Sequence, residues 1–331
     1  MLSCRALLTI VILFALGTGA VHAGDETLYM AILNSRVHRW GSIQNPVVGI
    51  FISRDGGQTW AHRGWREYIR TFYVEEGADG TIWSACGNGV LRSTDGGETW
   101  KVTTGWQVTE VLKLSVDPGN PSTVFAATAY GIFATTDGGD VWERRSRGFQ
   151  TGFTGDVRVD RSDSRRVLAA TEEGLYLSTD GGTTWSGTGP HGLGIRCITQ
   201  HPTDSSVFWV GTEDDGTFRS EDGGVSWERM AKGLNHQTVY AVAFNPVKPT
   251  TIYAGTHGGG VYRSVDGGEA WVMRSSGLTN RDVHSLAVLP STPSTLFAGT
   301  LNGGLFVSRD GGASWEFNSQ DQAQVWGLSV R

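Results

Sequence analysis

The chain has 331 residues, with 27 Lys and Arg against 33 Asp and Glu, for a net charge of −6 at neutral pH. That balance excludes the basic excess expected of a nucleic-acid binder. Three cysteines, Cys4, Cys86 and Cys197, are too few and too scattered for a disulfide scaffold, and we expect Cys86 and Cys197 to be free and buried.

Met1-Leu2-Ser3-Cys4-Arg5 is a short positive start, followed by an apolar run from Ala6 to Ala20 and a small-x-small site at Val21-His22-Ala23. This order of charged start, apolar stretch and small residues describes a removable leader over residues 1–23. The apolar run is short for a membrane span of roughly 20 residues. The expected location is therefore periplasmic or extracellular, with no membrane span after cleavage and residues 24–331 forming one monomeric domain.

The first segment after the leader, Thr27 to Ile32, alternates as a strand, and a long insertion, Asn34 to Pro46, follows it. Then comes the phrase that organises the rest of the chain, Ser53-Arg54-Asp55-Gly56-Gly57-Gln58-Thr59-Trp60. It returns with small changes six more times. Its aspartates are Asp55, Asp95, Asp137, Asp180, Asp222, Asp266 and Asp310, and its closing tryptophans are Trp60, Trp100, Trp142, Trp185, Trp227, Trp271 and Trp315. The steps between aspartates are 40, 42, 43, 42, 44 and 44 residues, the period of a repeat array.

Each phrase lies between apolar runs, as Gly304-Leu305-Phe306-Val307 lies before the last one, so it reads as a hairpin turn. The aspartate accepts bonds from turn amides, the glycines supply positive φ, and the preceding Ser or Thr adds a local bond. The tryptophan is expected to anchor the hairpin against its own blade.

Between phrases the repeat holds three more strands. In the clearest copy these are Val239 to Phe244 before Asn245-Pro246, Thr251 to Thr256, and Gly260 to Ser264, with a polar outermost strand after Trp271. Four short strands per repeat, Gly-rich turns and no helix-length periodic segment give an all-β fold, a seven-bladed β-propeller of four-stranded antiparallel blades. The N-terminal segment matches a second strand, and Val325 to Val330 matches an inner strand with no blade after it. Pairing the two closes the ring and removes the exposed edges.

The phrase Ser/Thr-x-Asp-x-Gly-x-Thr-Trp resembles the Asp-box, or BNR repeat, of a family that includes sialidases, xyloglucan-degrading enzymes, sortilin-type receptors and photosystem II assembly propellers. The resemblance implies that the boxes are structural, away from any active site. It leaves function open, because one fold serves many roles. The Arg-Ile-Pro motif of sialidases does not occur, and xyloglucan-degrading enzymes place substrate between two propellers whereas this chain holds one. No carboxylate pair of the kind glycoside hydrolysis needs can be assigned, so no catalytic residue is named. The histidines show no metal-ligand spacing, and no metal or cofactor is expected.

In a four-stranded meander the repetitive proline turns and Asp-boxes share one face, and the variable loops share the other, where a partner finds differences to recognise. On that face the candidate binding residues are Arg36, His38, Arg39 and Trp40 in the long insertion, Arg63, Trp65 and Arg66 after the first blade, and Trp106 one blade later. Arg and Trp are common interface anchors. The reading is a non-catalytic scaffold that binds a protein partner or a glycan, with length, leader and blade number most like the photosystem II assembly propellers. The alternatives are a glycoside hydrolase or sialidase-like enzyme and a carbohydrate-binding lectin.

Overall fold

The structure is a computed structural model that describes residues 26–35, 48–64, 69–150 and 152–331. The expected leader and Arg36, His38, Arg39, Trp40, Trp65 and Arg66 lie outside the described residues.

Seven sheets of four antiparallel strands, each a simple meander, make up the described chain. We number the blades 1 to 7 from the N-terminus and their strands inner, second, third and outer. Blade 1 takes its inner strand, Ala323–Val330, from the C-terminus and pairs it with Leu28–Ser35. Leu28 lies opposite Val330 and Met30 opposite Leu328, and the join is extended by Thr27 and Arg331, which exchange both backbone hydrogen bonds. The expected ring closure is thus present, and the edge of the first sheet is covered.

The core lies between blades. Between blades 7 and 1, for example, Phe297, Leu305 and Val307 pack against Leu28, Met30 and Phe51. In five blades the second strand is buried along its whole length, as at Ile82–Cys86 and Leu296–Thr300, because both of its faces meet a neighbouring blade. Outer strands such as Glu143–Arg144 and Glu228–Arg229 are only two residues long and exposed, which blunts the rim against edge pairing. Cys86 and Cys197 are free and buried, as expected.

The box turns are built as their residue types require. Ser178 Oγ donates to Asp180 Oδ1 at 2.8 Å while accepting from the Gly182 amide at 2.8 Å. Asp180 also receives the Thr184 amide at 2.9 Å and the Thr184 hydroxyl at 2.6 Å. Those donors, the hydroxyl first, hold the Asp180 carboxyl down to about 2. In five blades the first box glycine donates to a carbonyl at or just before the start of the second strand of the same blade, as Gly181 does to Arg165 at 2.8 Å and Gly267 to Thr250 at 2.9 Å. Boxes and proline turns therefore share one face.

The tryptophans correct one expectation. They dock on the preceding blade, not on their own: Trp185 Nε1 donates to Arg145 O, Trp271 Nε1 to Met230 O and Trp315 Nε1 to Arg274 O, at 2.8 to 2.9 Å. Arginines reach the opposite way. Arg54, Arg145 and Arg263 each donate to the carbonyl of a glycine in the following box at 2.8 to 3.1 Å, and Arg92 does the same to Gly138. The physical reason is that the hairpin overhangs the blade interface, where the neighbour's aromatic surface is the nearest unburied apolar area. Gly268 shows how close the approach is: its φ is +92°, and a Cβ there would lie 2.0 Å from Trp209 Cη2 of the preceding blade.

Candidate functional site

The opposite face carries the turns between second and third strands and the connections from one blade to the next. There every inner strand breaks register near its start, in blades 2 to 7 at its second residue. The paired partners jump from Thr71 to Tyr73, Val111 to Lys113, Thr154 to Asp156, Ile195 to Cys197, Val239 to Ala241 and Val283 to Ser285. In blade 1 the break falls between Gly327 and Val325. The skipped residues are Phe72, Leu112, Gly155, Arg196, Tyr240, His284 and Trp326, one per blade. A bulge leaves its extra residue out of the ladder and re-aims its side chain, and here all seven line the mouth of the central channel.

Small residues in the second strand make room for this. Opposite each break stands Ala85, Ala127, Ala170, Gly211, Gly255 or Gly299. A Cβ on Gly255 would lie 2.7 Å from the next inner strand's Val283 Cγ1, and one on Gly299 2.5 Å from Val325 Cγ1.

The mouth is a cavity of ≈ 320 Å³. One wall is a continuous aromatic arc. Tyr240 stacks on His284 at 4.1 Å and 16°, His284 leans on Trp326 at 4.7 Å, and Trp326 meets Phe72 edge to face at 6.0 Å. The arc has a gap in blade 4, where Gly155 carries no side chain; Phe153, from the preceding connection, lies 3.7 Å from where a Cβ would be. Arg196, ion-paired with Glu213, stands on the rim between Gly155 and Tyr240.

Lys113 forms part of the cavity lining and sits 3.8 Å from the Tyr73 ring centre. Deeper in the channel, Glu75 pairs with Arg158 at 3.9 Å, and burial pushes the Glu75 carboxyl up. Asp156 is buried and spends its two oxygens on backbone amides, Oδ1 on Val157 at 2.7 Å and Oδ2 on Ile198 of the next blade at 2.9 Å. Hydroxyls tie other inner strands together in the same way, Ser115 accepting from Val159 N at 3.0 Å and Thr199 donating to Val242 O at 2.9 Å.

Of the candidates named from sequence, two are described. Arg63 follows the outer strand of blade 1 and turns to the next box, where it pairs with Glu98 at 3.1 Å and its carbonyl accepts from Trp100 Nε1. Its partners are thus those of the other interblade arginines. Trp106 sits on the connection between blades 2 and 3 and is 85 % exposed. The acidic turn Glu213-Asp214-Asp215 is used locally, by Arg196, Thr238 and Arg229 in turn. Among the described residues no group of three or more metal-ligating side chains gathers, and no helix is long and apolar enough to cross a membrane.

By sequence the chain matches the BNR/Asp-box repeat at residues 51–62 and 91–102, and the family described as Sortilin, neurotensin receptor 3 (Sortilin-Vps10) at residues 215–324. The chain is a seven-bladed Asp-box β-propeller.

No curated protein matches this propeller by sequence. Among solved structures it is similar to the GH74 xyloglucanase from Xanthomonas campestris, with a TM-score of 0.68 and 18 % identity over 91 % of this chain and 53 % of that one. The Asp-box propeller therefore spans about half the length of that enzyme. It is also similar to YCF48 bound to a D1 peptide, with a TM-score of 0.59 and 18 % identity over 79 % of this chain and 92 % of that one. A third is an extracellular domain from B. thetaiotaomicron, with a TM-score of 0.65 and 15 % identity over 78 % and 36 %. At these identities the likeness is one of fold.

The mouth was not among the residues singled out from sequence, although a signal was present. Aligned on their first residue, the inner strands read Thr-Phe-Tyr, Val-Leu-Lys, Thr-Gly-Asp, Ile-Arg-Cys, Val-Tyr-Ala, Val-His-Ser and Val-Trp-Gly. The first column stays Thr, Val or Ile, while the second runs through aromatic, aliphatic, basic and glycine and the third varies as widely. That variation marks the channel end of the strand, but strict alternation would have placed the second column on a sheet face.

Proposed function

We propose that this propeller is an exported binding scaffold that captures a protein partner on its variable-loop face, with the channel mouth as the anchor point. The observation that carries the reading is the ring of seven bulges: one backbone device, repeated in every blade, delivers six different side chains and one glycine to one cavity. Such a mouth offers apolar area, two cations and a rigid rim, which is how interfaces anchor a few dominant side chains. Of the carboxylates around the mouth, Glu213 is paired with Arg196, Asp156 accepts two amides and Glu75 pairs with Arg158 through one oxygen, an arrangement that speaks against the free acid and base pair of a glycosidase. Export rests on the leader-like residues 1–23, and the channel mouth takes precedence over the arginine and tryptophan cluster inferred from sequence.

The test is affinity capture from the host's envelope extract with the wild-type protein and the Tyr240→Ala/Trp326→Ala double variant. The wild type should retain a discrete partner that the variant loses. Recovery of the same partner by both places the interface elsewhere.

A second reading, glycan capture, is favoured by the stacked Tyr240 and His284 rings and the adjoining Trp326, a surface on which a sugar face can lie. Retention on an immobilised glycan array, lost in the same double variant, supports it. Turnover of any chromogenic glycoside overturns the scaffold assignment.

A further inference from the structure

Buried polar atoms without a hydrogen-bond partner gather at the channel. Among the described residues ten side-chain atoms are so placed, and five of them, Glu75 Oε2, Thr154 Oγ1, Arg158 Nε, Arg196 Nε and His284 Nε2, belong to inner strands at or below the mouth. Arg196 and His284 both line the mouth. Lys113, on the same lining, lies over the Tyr73 ring, and its charge also acts on Glu75 below, with no side-chain hydrogen bond or salt bridge among the described residues.

The charges around the cavity are one-sided. Its lining holds Lys113 and Arg196 and no carboxylate. The acids nearby are held outside: Glu213 against Arg196, Asp282 by His257 Nδ1 at 2.9 Å and the Gly258 amide at 2.8 Å, and Glu75 by Arg158 below. Arg196 gives one terminal nitrogen to Glu213, which leaves the other terminal nitrogen for a second acceptor. The same lining holds the apolar rings of Phe72, Trp326 and Phe153, with Leu112 and Ile195. The cavity of ≈ 320 Å³ holds one large side chain and the backbone next to it.

We propose that the mouth recognises a carboxylate carried beside a large apolar side chain in a peptide segment of the partner, the ring entering the aromatic arc while Lys113 and Arg196 take the carboxylate. This rests on the protein-binding reading above and names its ligand chemistry. A carboxylate can come from an acidic side chain or from the end of a chain, and the mouth meets both with the same donors.

The experiment separates the two sources with four N-acetylated pentapeptides measured by isothermal titration: Gly-Gly-Ser-Gly-Phe with a free terminal carboxylate, the same peptide amidated, Gly-Gly-Phe-Asp-Gly amidated, and Gly-Gly-Phe-Asn-Gly amidated. At least one charged peptide should bind about tenfold or more tightly than its neutral counterpart, the size expected of one charge-assisted contact. The pair that shows the difference identifies the source. Lys113→Met and Arg196→Gln should each erase the preference for charge, added salt should reduce it, and Trp326→Leu should weaken charged and neutral peptides alike. Should Lys113→Met fail to fold, Arg196→Gln at the rim and the salt series carry the test. Equal affinity for charged and neutral peptides, a preference that survives in Arg196→Gln, or no binding of any peptide overturns the proposal. If wild type and the Tyr240→Ala/Trp326→Ala variant still differ in partner capture after such a result, the protein-binding reading stands and only its ligand chemistry is lost.

Discussion

The two faces of this propeller solve opposite problems with the same repeat. On the box face seven copies keep nearly the same residues, because each must reproduce one turn and one handhold on the preceding blade. At the mouth seven copies keep the same backbone irregularity and change the residue at it: Phe72, Leu112, Gly155, Arg196, Tyr240, His284 and Trp326 occupy one structural position. Where side chains bond to their own turn, identity is constrained. Where the ladder releases a residue into an open channel, the ladder no longer sets its identity, and the position is available to recognition.

The largest expected break in this comparison comes from the closure. Deleting residues 323–331 removes the inner strand of blade 1 and with it buried Val325, Leu328 and the Trp326 member of the ring. The result should be loss of cooperative thermal unfolding, seen by near-ultraviolet circular dichroism. A shortened protein that still melts cooperatively near the wild-type temperature refutes the closure's importance.

Next comes a pair of tryptophan truncations that sets the faces against each other. Trp209 is 1 % exposed under the Gly268 turn and packs against Trp271 at 6.1 Å, so Trp209→Ala should cost about 3–5 kcal/mol in urea unfolding. Trp326→Ala, at a partly exposed bulge, should cost much less stability while removing partner capture. Equal stability losses would mean that the mouth is core and not a site.

The smallest effect is in pH. Burial, offset in part by Asp282 and reinforced by His257, lowers His284 to about 4. A base whose folded value lies below its ordinary value near 6.5 favours folding while neutral, so its contribution is complete above about pH 6.5 and is lost as pH falls toward 4. The box aspartates have the same sign lower down: Asp95, Asp180 and Asp310 are held to about 2, chiefly by the hydroxyls of Thr99, Thr184 and Ser314, so their contribution is full above about pH 4 and fades toward pH 2. His284→Gln should flatten the melting temperature against pH between 6.5 and 4 and leave the lower limb unchanged. An unchanged upper limb would show that His284 is solvated when folded.

The fold was almost wholly legible before the structure, because its cues are local. Asp180, its two glycines and Thr184 lie within one turn, and their spacing counts blades without reference to anything distant. The spare strand at Val325 to Val330 and the unpartnered one at Tyr29 were legible too, since a missing edge is visible in a strict period. Trp185 was misplaced because a closing tryptophan names the need for apolar cover without naming the blade that supplies it.

What the sequence determined by itself is thus the repeat, its turns and the number of blades, each fixed by hydrogen bonds between residues at most four apart in the box. What only the tertiary structure decided is which blade each box grips and which residue of each inner strand reaches the channel. Both depend on contacts some forty residues apart, such as Trp185 with Arg145 and Asp156 with Ile198, and on a one-residue slip in register that alternation cannot show.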